Sequence, residues 1–245
     1  MNIAIIGYGR MGKEVEKAAS ERKVRVKKVF NDTDNMNGLG LTRQSLKDVD
    51  VCIEFTTPTA VLDNIEAVAD CGKNIVVGTT GWYERLDDVR KLVQAKKIGL
   101  LYSPNFSLGM NIFLQVIASA AHVFEKFDVY DVAISETHHQ GKADSPSGTA
   151  LTLGQILLQH IRRKKEMLHE TAHNTIRPDQ IHVTSTRLGK VVGEHRVIFD
   201  SEADSIELVH TAKNRGGFAL GALIAAEWLC GRKGVYTMKD FLTSV

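Results

Sequence analysis

The sequence has little cysteine, almost no charge imbalance and no long apolar run, and each shortage removes a class of function. Its three cysteines, Cys52, Cys71 and Cys230, stand in apolar surroundings, and an odd count argues against a disulfide framework. A reducing cytoplasm is the expected compartment. Lys plus Arg total 31 against 29 Asp plus Glu, a net charge of +2, so there is no basic field of the size nucleic acid requires. No stretch approaches the roughly 18 apolar residues of a membrane span, and the N-terminal MNIAIIGYG lacks the charged and hydrophobic regions of a signal peptide. No metal is expected either, because no Cys-x-x-Cys is present and adjacent histidines on a strand point to opposite faces.

What is present begins with a strand. Asn2 to Ile6 is apolar and largely β-branched, and runs into Gly7-Tyr8-Gly9-Arg10-Met11-Gly12, followed by a helical stretch to about Glu21. This is a GxGxxG loop in its required context: the first glycine permits a tight turn, the second lets a pyrophosphate approach the backbone, and the third lets the helix pack on the strand. The positive end of the helix dipole then favours phosphate. A second strand, Val24 to Phe30, leads to Asp32, twenty residues beyond Gly12, where an acid bonds the adenosine ribose hydroxyls and repels a 2′-phosphate. NADH is therefore favoured over NADPH. Flavin enzymes, methyl-donor-dependent transferases and nucleotide sensors share this unit, which alone leaves the class open.

Further strands, Val51 to Phe55, Asn74 to Val77 and Gly99 to Tyr102, end in the polar loops Thr56-Thr57-Pro58, Gly78-Thr79-Thr80-Gly81 and Ser103-Pro104-Asn105-Phe106. Open parallel sheets bind ligands beyond the carboxyl ends of their strands, where these loops fall. The densest chemistry lies in Glu136 to Ala150, ETHHQGKADSPSGTA. Imidazoles titrate nearest neutral pH, an ammonium suits an anion, and Ser147-Gly148-Thr149 before an apolar run reads as a helix N-terminus with free amides. Together these residues suit a small carboxylate that must be protonated. A solvated histidine turn and an ordinary Ser/Thr cap are the plainer alternatives.

With GYGRMG, EFTTP, GTTG, SPNFSLGMN and ETHHQGKADSPSGTA in order, the chain resembles the dihydrodipicolinate (4-hydroxy-tetrahydrodipicolinate) reductase family of lysine and diaminopimelate biosynthesis. The match continues through Val192-Gly193-Glu194-His195 and Asn214 to Ala222. The resemblance implies an NADH- or NADPH-dependent reductase acting on a small cyclic dicarboxylate, and a homotetramer. It places Gly7, Tyr8, Gly9, Arg10, Met11 and Gly12 at the cofactor pyrophosphate, Asp32 at the ribose, and Gly78, Thr79, Thr80, Ser103, Pro104, Asn105 and Phe106 at the nicotinamide. It gives His138 and Lys142 the proton transfer, and His139, Gly148 and Thr149 the substrate carboxylates. Three departures stand out: a compact cofactor loop, Thr33 where relatives often carry arginine, and Arg187-Leu188-Gly189 in place of Arg-Gly-Gly. A nicotinamide dehydrogenase of another substrate, of the aspartate or homoserine type, would explain the first half but not ETHHQGKADSPSGTA.

The expected class is α/β: a Rossmann-type nucleotide-binding domain over residues 1–106, completed by 216–245, and an α+β substrate and oligomerisation domain on a mostly open mixed sheet over 107–215. Strands are expected at Val129 to Glu136, Ile181 to Thr186, Glu194 to Asp200 and Ser205 to His210, the last with one covered face because Ile206, Leu208 and His210 alternate with Glu207 and Val209. The apolar FALGALIAAEWLC after Gly217 is expected to return as a helix onto the first domain.

Overall fold

A computed structural model describes residues 1–244. In chain order the first elements are β1 (Asn2–Ile6), α1 (Arg10–Glu21), β2 (Arg25–Phe30), β3 (Val51–Glu54), α2 (Val61–Asp70), β4 (Asn74–Val77), α3 (Leu86–Lys96) and β5 (Gly99–Tyr102). Then come α4 (Leu108–Phe124), β6 (Asp131–His138), α5 (Gly148–His160), β7 (Glu166–Leu168), β8 (Gln180–Arg187), β9 (Glu194–Asp200) and β10 (Ser205–Thr211). The chain closes with α6 (Gly216–Leu229), β11 (Gly234–Thr237) and α7 (Met238–Thr243). It divides into two units, Met1–Asn111 with the chain from Arg215 onward, and Ile112–Asn214.

The first unit is a six-stranded parallel sheet in the order β11-β5-β4-β3-β1-β2. Successive side chains of a strand point to opposite faces, so each short apolar strand feeds two cores. Ile3, Ile5, Val51 and Ile53 pack with Val15 and Ala19 of α1 and with Ala222, Leu223, Ala225 and Ala226 of α6. Ala4, Ile6, Cys52 and Ile75 pack with Ile65 and Val68 of α2 and Val89 and Val93 of α3. Each fully buried Ile or Leu contributes about 1.5–3 kcal/mol, and a sheet covered on both faces needs the near-continuous apolar runs seen here. The alanines of α6 allow close packing on α1, and a side chain at Gly221 would lie 1.8 Å from the Phe106 carbonyl oxygen.

The second unit is a five-stranded mixed sheet in the order β10-β9-β6-β8-β7. The β6/β8 and β8/β7 pairs are parallel, and the β6/β9 and β9/β10 pairs antiparallel. Val132 and Ile134 of β6, Ile181 and Val183 of β8 and Val197 and Phe199 of β9 are buried, as are Ala150, Leu153 and Leu157 of α5. On edge strand β10 the expected covered face is only partly covered: Leu208 and His210 are half-buried, the latter with its ring 6.0 Å from that of Phe113, while Ile206 at the start of the same face is 44% exposed. Glu207 and Val209 on the other face are exposed, and only β9 flanks the strand.

Candidate active site

In the first unit, Gly7 follows β1 with φ +91°, a conformation that favours glycine, and a side chain there would meet the Phe55 carbonyl oxygen at 2.2 Å. Gly12 packs equally tightly, 2.2 Å separating its would-be Cβ from the Gly7 carbonyl oxygen. Gly9 faces open space. It is the N-cap of α1, has no side-chain cap, and is followed by no acid in the first turn, so the orphan amides and positive dipole of the helix are free for an anion.

Two clefts meet this loop. Gly7, Asn31, Asp32 and Thr56 line one of roughly 210 Å³. Gly9, Arg10, Met11, Thr56, Gly78, Thr79 and Thr80 line another of roughly 370 Å³. The Asn31 side chain accepts hydrogen bonds from the amides of Thr33 (2.9 Å) and Asp34 (3.0 Å), a turn that leaves Asp32 exposed at its cleft.

The remaining predicted cofactor residues line neither cleft. The Tyr8 hydroxyl donates to Glu16. Ser103 is buried and donates to the Asn105 carbonyl at 2.8 Å, whose Oδ1 accepts from the Ser107 amide at 2.9 Å. Pro104 is exposed, while Phe106 is core, edge-on to Phe55 at 6.1 Å.

Sequence reading missed Glu54, the last residue of β3, which is fully buried. Its Oε1 accepts from the Thr56 amide (3.0 Å) and from Asn64 (3.5 Å), the Thr56 amide also reaches Thr79 Oγ1 (2.8 Å), and Asn64 accepts from Asn35 (2.7 Å). One carboxyl thus ties together loops bordering both clefts. Burial raises its pKa, and the hydrogen bonds from Thr56, Thr79 and Asn64 only partly offset that.

In the second unit the apolar face of β6, Val132 and Ile134, continues at period two into Glu136 and His138, both buried. The expected strand end at Glu136 is therefore two residues short. His138 is paired in register with Arg187, and its carbonyl accepts from the Leu188 amide at 2.8 Å. That places His138 on the sheet rather than in the loop. Glu136 is opposite His195 of β9.

The Glu136 carboxylate organises the cluster. One oxygen bonds His138 Nδ1; the other accepts from Arg187 at 2.9 Å and from the Ser147 amide at 3.1 Å. Burial opposes its charge, but the bonds from Arg187 and His138 prevail and hold the carboxyl below its usual range. His195 lies with its ring perpendicular to that of His138, centroids 5.1 Å apart, and its Nε2 is 3.1 Å from Ser147 Oγ. Burial, reinforced by the nearby His138, lowers the His195 pKa to about 4. Arg187, from the Arg-Leu-Gly departure, also grips the Asp144 carbonyl at 2.6 Å.

Lys142 is bound by both oxygens of Asp144, at 2.7 and 2.9 Å, and its amide donates to the His139 carbonyl. The Lys142 contact and the nearby Gly148 amide help hold the Asp144 carboxyl below its usual range. Ser147 caps α5 by accepting from the Ala150 amide at 3.2 Å. Gly148, exposed, and Thr149, half-buried, open that helix, and a side chain at Gly148 would meet nothing within 4 Å. The signal for Glu136 was the i, i+2 spacing of acid and histidine on one strand face.

The sequence also holds one pattern that bears on metals. His169-Glu170-Thr171-Ala172-His173 has the His-Glu-x-x-His spacing, which requires a helix to bring both imidazoles to one face. Here it follows β7 on exposed, irregular backbone. Among the described residues no group of three His, Cys, Asp or Glu side chains is arranged to hold a metal ion.

A parallel dinucleotide-type fold with an uncapped glycine loop, joined in one chain to a buried acid–histidine–arginine cluster, defines a nicotinamide-dependent oxidoreductase. Residues 1–106 match the model of the dihydrodipicolinate reductase N-terminus and residues 109–242 that of its C-terminus, so the chain belongs to the dihydrodipicolinate reductase family. It is 38% identical to the 4-hydroxy-tetrahydrodipicolinate reductase of Christiangramia forsetii, covering 100% of this chain and 99% of that one. With the Archaeoglobus fulgidus reductase it shares 38% identity, over 99% and 100% of the two chains. The solved dipicolinate-bound dihydrodipicolinate reductase of Paenisporosarcina sp. TG-14 shares the fold, with a TM-score of 0.77 at 24% identity over 97% of each chain.

Proposed function

We propose that this protein catalyses the NAD(P)H-dependent reduction of 4-hydroxy-tetrahydrodipicolinate to tetrahydrodipicolinate, with loss of water, in lysine and diaminopimelate biosynthesis. The observation that carries this reading is the Glu136–His138 pair beside the Lys142 loop and the N-terminus of α5, in a chain of this family.

The first unit fits a dinucleotide on its own evidence, since Gly9 leaves space at an uncapped helix start. Gly7 to Gly12 would hold the pyrophosphate, Asp32 the adenosine ribose, and Gly78, Thr79 and Thr80, with Ser103 to Phe106 behind them, the nicotinamide side. When bound, the reduced nicotinamide supplies hydride to the conjugated imine left by water loss. The chain's own residues meet the resulting charge. Lys142 and His138 deliver the proton required as electron density moves toward the ring nitrogen, a kind of assistance typically worth about 10²–10⁴ in rate. His139 and the Gly148 and Thr149 amides at the start of α5 hold the substrate carboxylates, while Lys142 exchanges Asp144 for substrate.

A coupled assay tests the reading. Protein with NADH or NADPH and freshly generated 4-hydroxy-tetrahydrodipicolinate consumes cofactor; no consumption with either sinks the assignment. Asp32 at the cleft supports NADH as the better donor, read as the higher kcat/KM of the two. The exposed Ile206 and Val209 of edge strand β10 support a homotetramer, and a single-subunit mass in light scattering would refute it. Three free thiols support a cytoplasmic location, which localisation of a tagged chain checks. No helix among the described residues is long and apolar enough to cross a membrane.

A further inference from the structure

An imidazole has two nitrogens, and a proton-transfer histidine is useful only if one is held and the other is left open. In His138 the held one is Nδ1, which lies against the Glu136 carboxylate. That carboxylate cannot swing away, because it is fully buried and its other oxygen is fixed by Arg187 at 2.9 Å and by the Ser147 amide at 3.1 Å. Arg187 is pinned in turn by the Asp144 carbonyl at 2.6 Å and the Thr186 carbonyl at 2.9 Å.

The other nitrogen has a neighbour without a side chain. A Cβ built on Gly193, just before β9, would lie 2.9 Å from His138 Nε2 and 3.2 Å from Cδ2. The φ of Gly193 is not in the left-handed region, so its backbone would accept any residue. Space alone demands glycine. The Gly193 carbonyl is tied to the Ala212 amide at 2.8 Å, so the backbone resists retreat, and Glu136 keeps the imidazole from retreating.

We propose that Glu136 is a positioning residue that commits His138 to the Nδ1–H tautomer, and that Gly193 is the gap through which Nε2 reaches the substrate. This deepens the reading of His138 as a proton-transfer residue and rests on it. The charged and titratable groups around the ring are Glu136 on β6, Arg187 on β8, His195 on β9, and the Lys142–Asp144 pair in the following loop. In the cation both nitrogens carry protons and Nε2–H is the acid; after transfer, Nε2 carries the lone pair and Nδ1–H still points at Glu136.

Nitrogen-15 NMR of the His138 ring, assigned by the signals lost in His138→Gln, tests the arrangement without turnover. The neutral ring shows a protonated Nδ1 in the unsubstituted protein and a protonated Nε2 in Glu136→Gln, whose amide donates to Nδ1. A protonated Nε2 in the unsubstituted protein overturns the proposal. In the reductase assay Glu136→Gln loses on the order of 10² or more in kcat, as a wrong tautomer does elsewhere, with NADH affinity unchanged, and Glu136→Asp recovers part of the loss. Gly193→Ala, whose methyl crowds the ring, shifts the His138 ring resonances and lowers kcat at least tenfold with NADH affinity held; full activity in it removes Gly193 from the proposal. Should the unsubstituted protein not reduce the dicarboxylate, the functional reading fails, while the tautomer measurement still decides the positioning of His138.

Discussion

Glu136 and His138 stand two residues apart on one face of β6, carboxylate against Nδ1, where Val132 and Ile134 have just built a hydrophobic core. The strand that buries apolar side chains at its start buries a carboxylate and an imidazole at its end. The difference is what lies opposite: Val183 and Val197 flank Ile134, whereas Ser185 and His195 flank Glu136. Buried charge persists only when paired and hydrogen-bonded, and Arg187, Ser147 and His138 satisfy that condition.

Replacing the two proton-transfer candidates separates chemistry from binding. His138→Gln and Lys142→Ala each lower kcat by about 10²–10⁴, with the NADH dissociation constant, read by fluorescence titration, within about twofold of the parent. Equal loss of NADH affinity would move both residues into the nucleotide site.

The three loop glycines respond differently because their surroundings differ. Gly7→Ala and Gly12→Ala each drive a methyl to 2.2 Å from a carbonyl oxygen, overpacking that costs about 1–3 kcal/mol or more and lowers Tm by roughly 2–4 °C per kcal/mol in a chain this size. Gly9→Ala meets no protein atom. It keeps its Tm and loses NADH affinity, so calorimetry and titration on the three variants give opposite orders.

Acidification weakens the second unit through His195. Its folded pKa of about 4 lies below the ordinary 6.5, so below pH 6.5 the unfolded chain takes up a proton that the folded chain refuses. Stability falls between about pH 6.5 and 4 and then levels as far as this group is concerned, a loss on the order of 3 kcal/mol at about 1.4 kcal/mol per unit. Glu136, depressed instead, contributes stability above the ordinary carboxylate range and withdraws it at still lower pH. Urea melts from pH 7.5 to 4 show the slope in the parent and a flatter one in His195→Gln; identical slopes would remove His195 as the cause.

Lys164 is a buried lysine with a structural task. Its ammonium pairs with Asp131 and donates to the Pro178 and Gln180 carbonyls, both at 2.8 Å. Lys164→Met leaves those carbonyls without that donor at about 1–3 kcal/mol per group, so Tm falls by several degrees while NADH affinity in the first unit stays constant. An unchanged Tm would contradict this account.

Much of the first unit was legible because its signals are local. Strand, glycine loop, helix, strand and acid follow one another within a few turns of chain, and Gly7 and Gly12 face backbone neighbours only a glycine admits. β11 and β7 carry no such signal. They are four and three residues long, too short for periodicity, and β11 is a strand only because Gly99 to Tyr102 lies beside it. Likewise, nothing in EFTTP tells that Glu54 is buried and bonded to Thr56 in the next loop and to Asn64 of α2.

Sequence alone determined the opening strand, glycine loop, helix and strand, the α/β class and the residue types gathered in ETHHQGKADSPSGTA, because periodicity, glycine placement and side-chain chemistry are properties of neighbours along the chain. Tertiary structure decided that His138 ends a strand, that its Nδ1 meets Glu136, that Arg187 and Ser147 hold that carboxylate, and that Gly193 leaves Nε2 room. Those relations join β6, β8, β9 and the start of α5. Their partners are set by sheet register and burial, which no local pattern encodes.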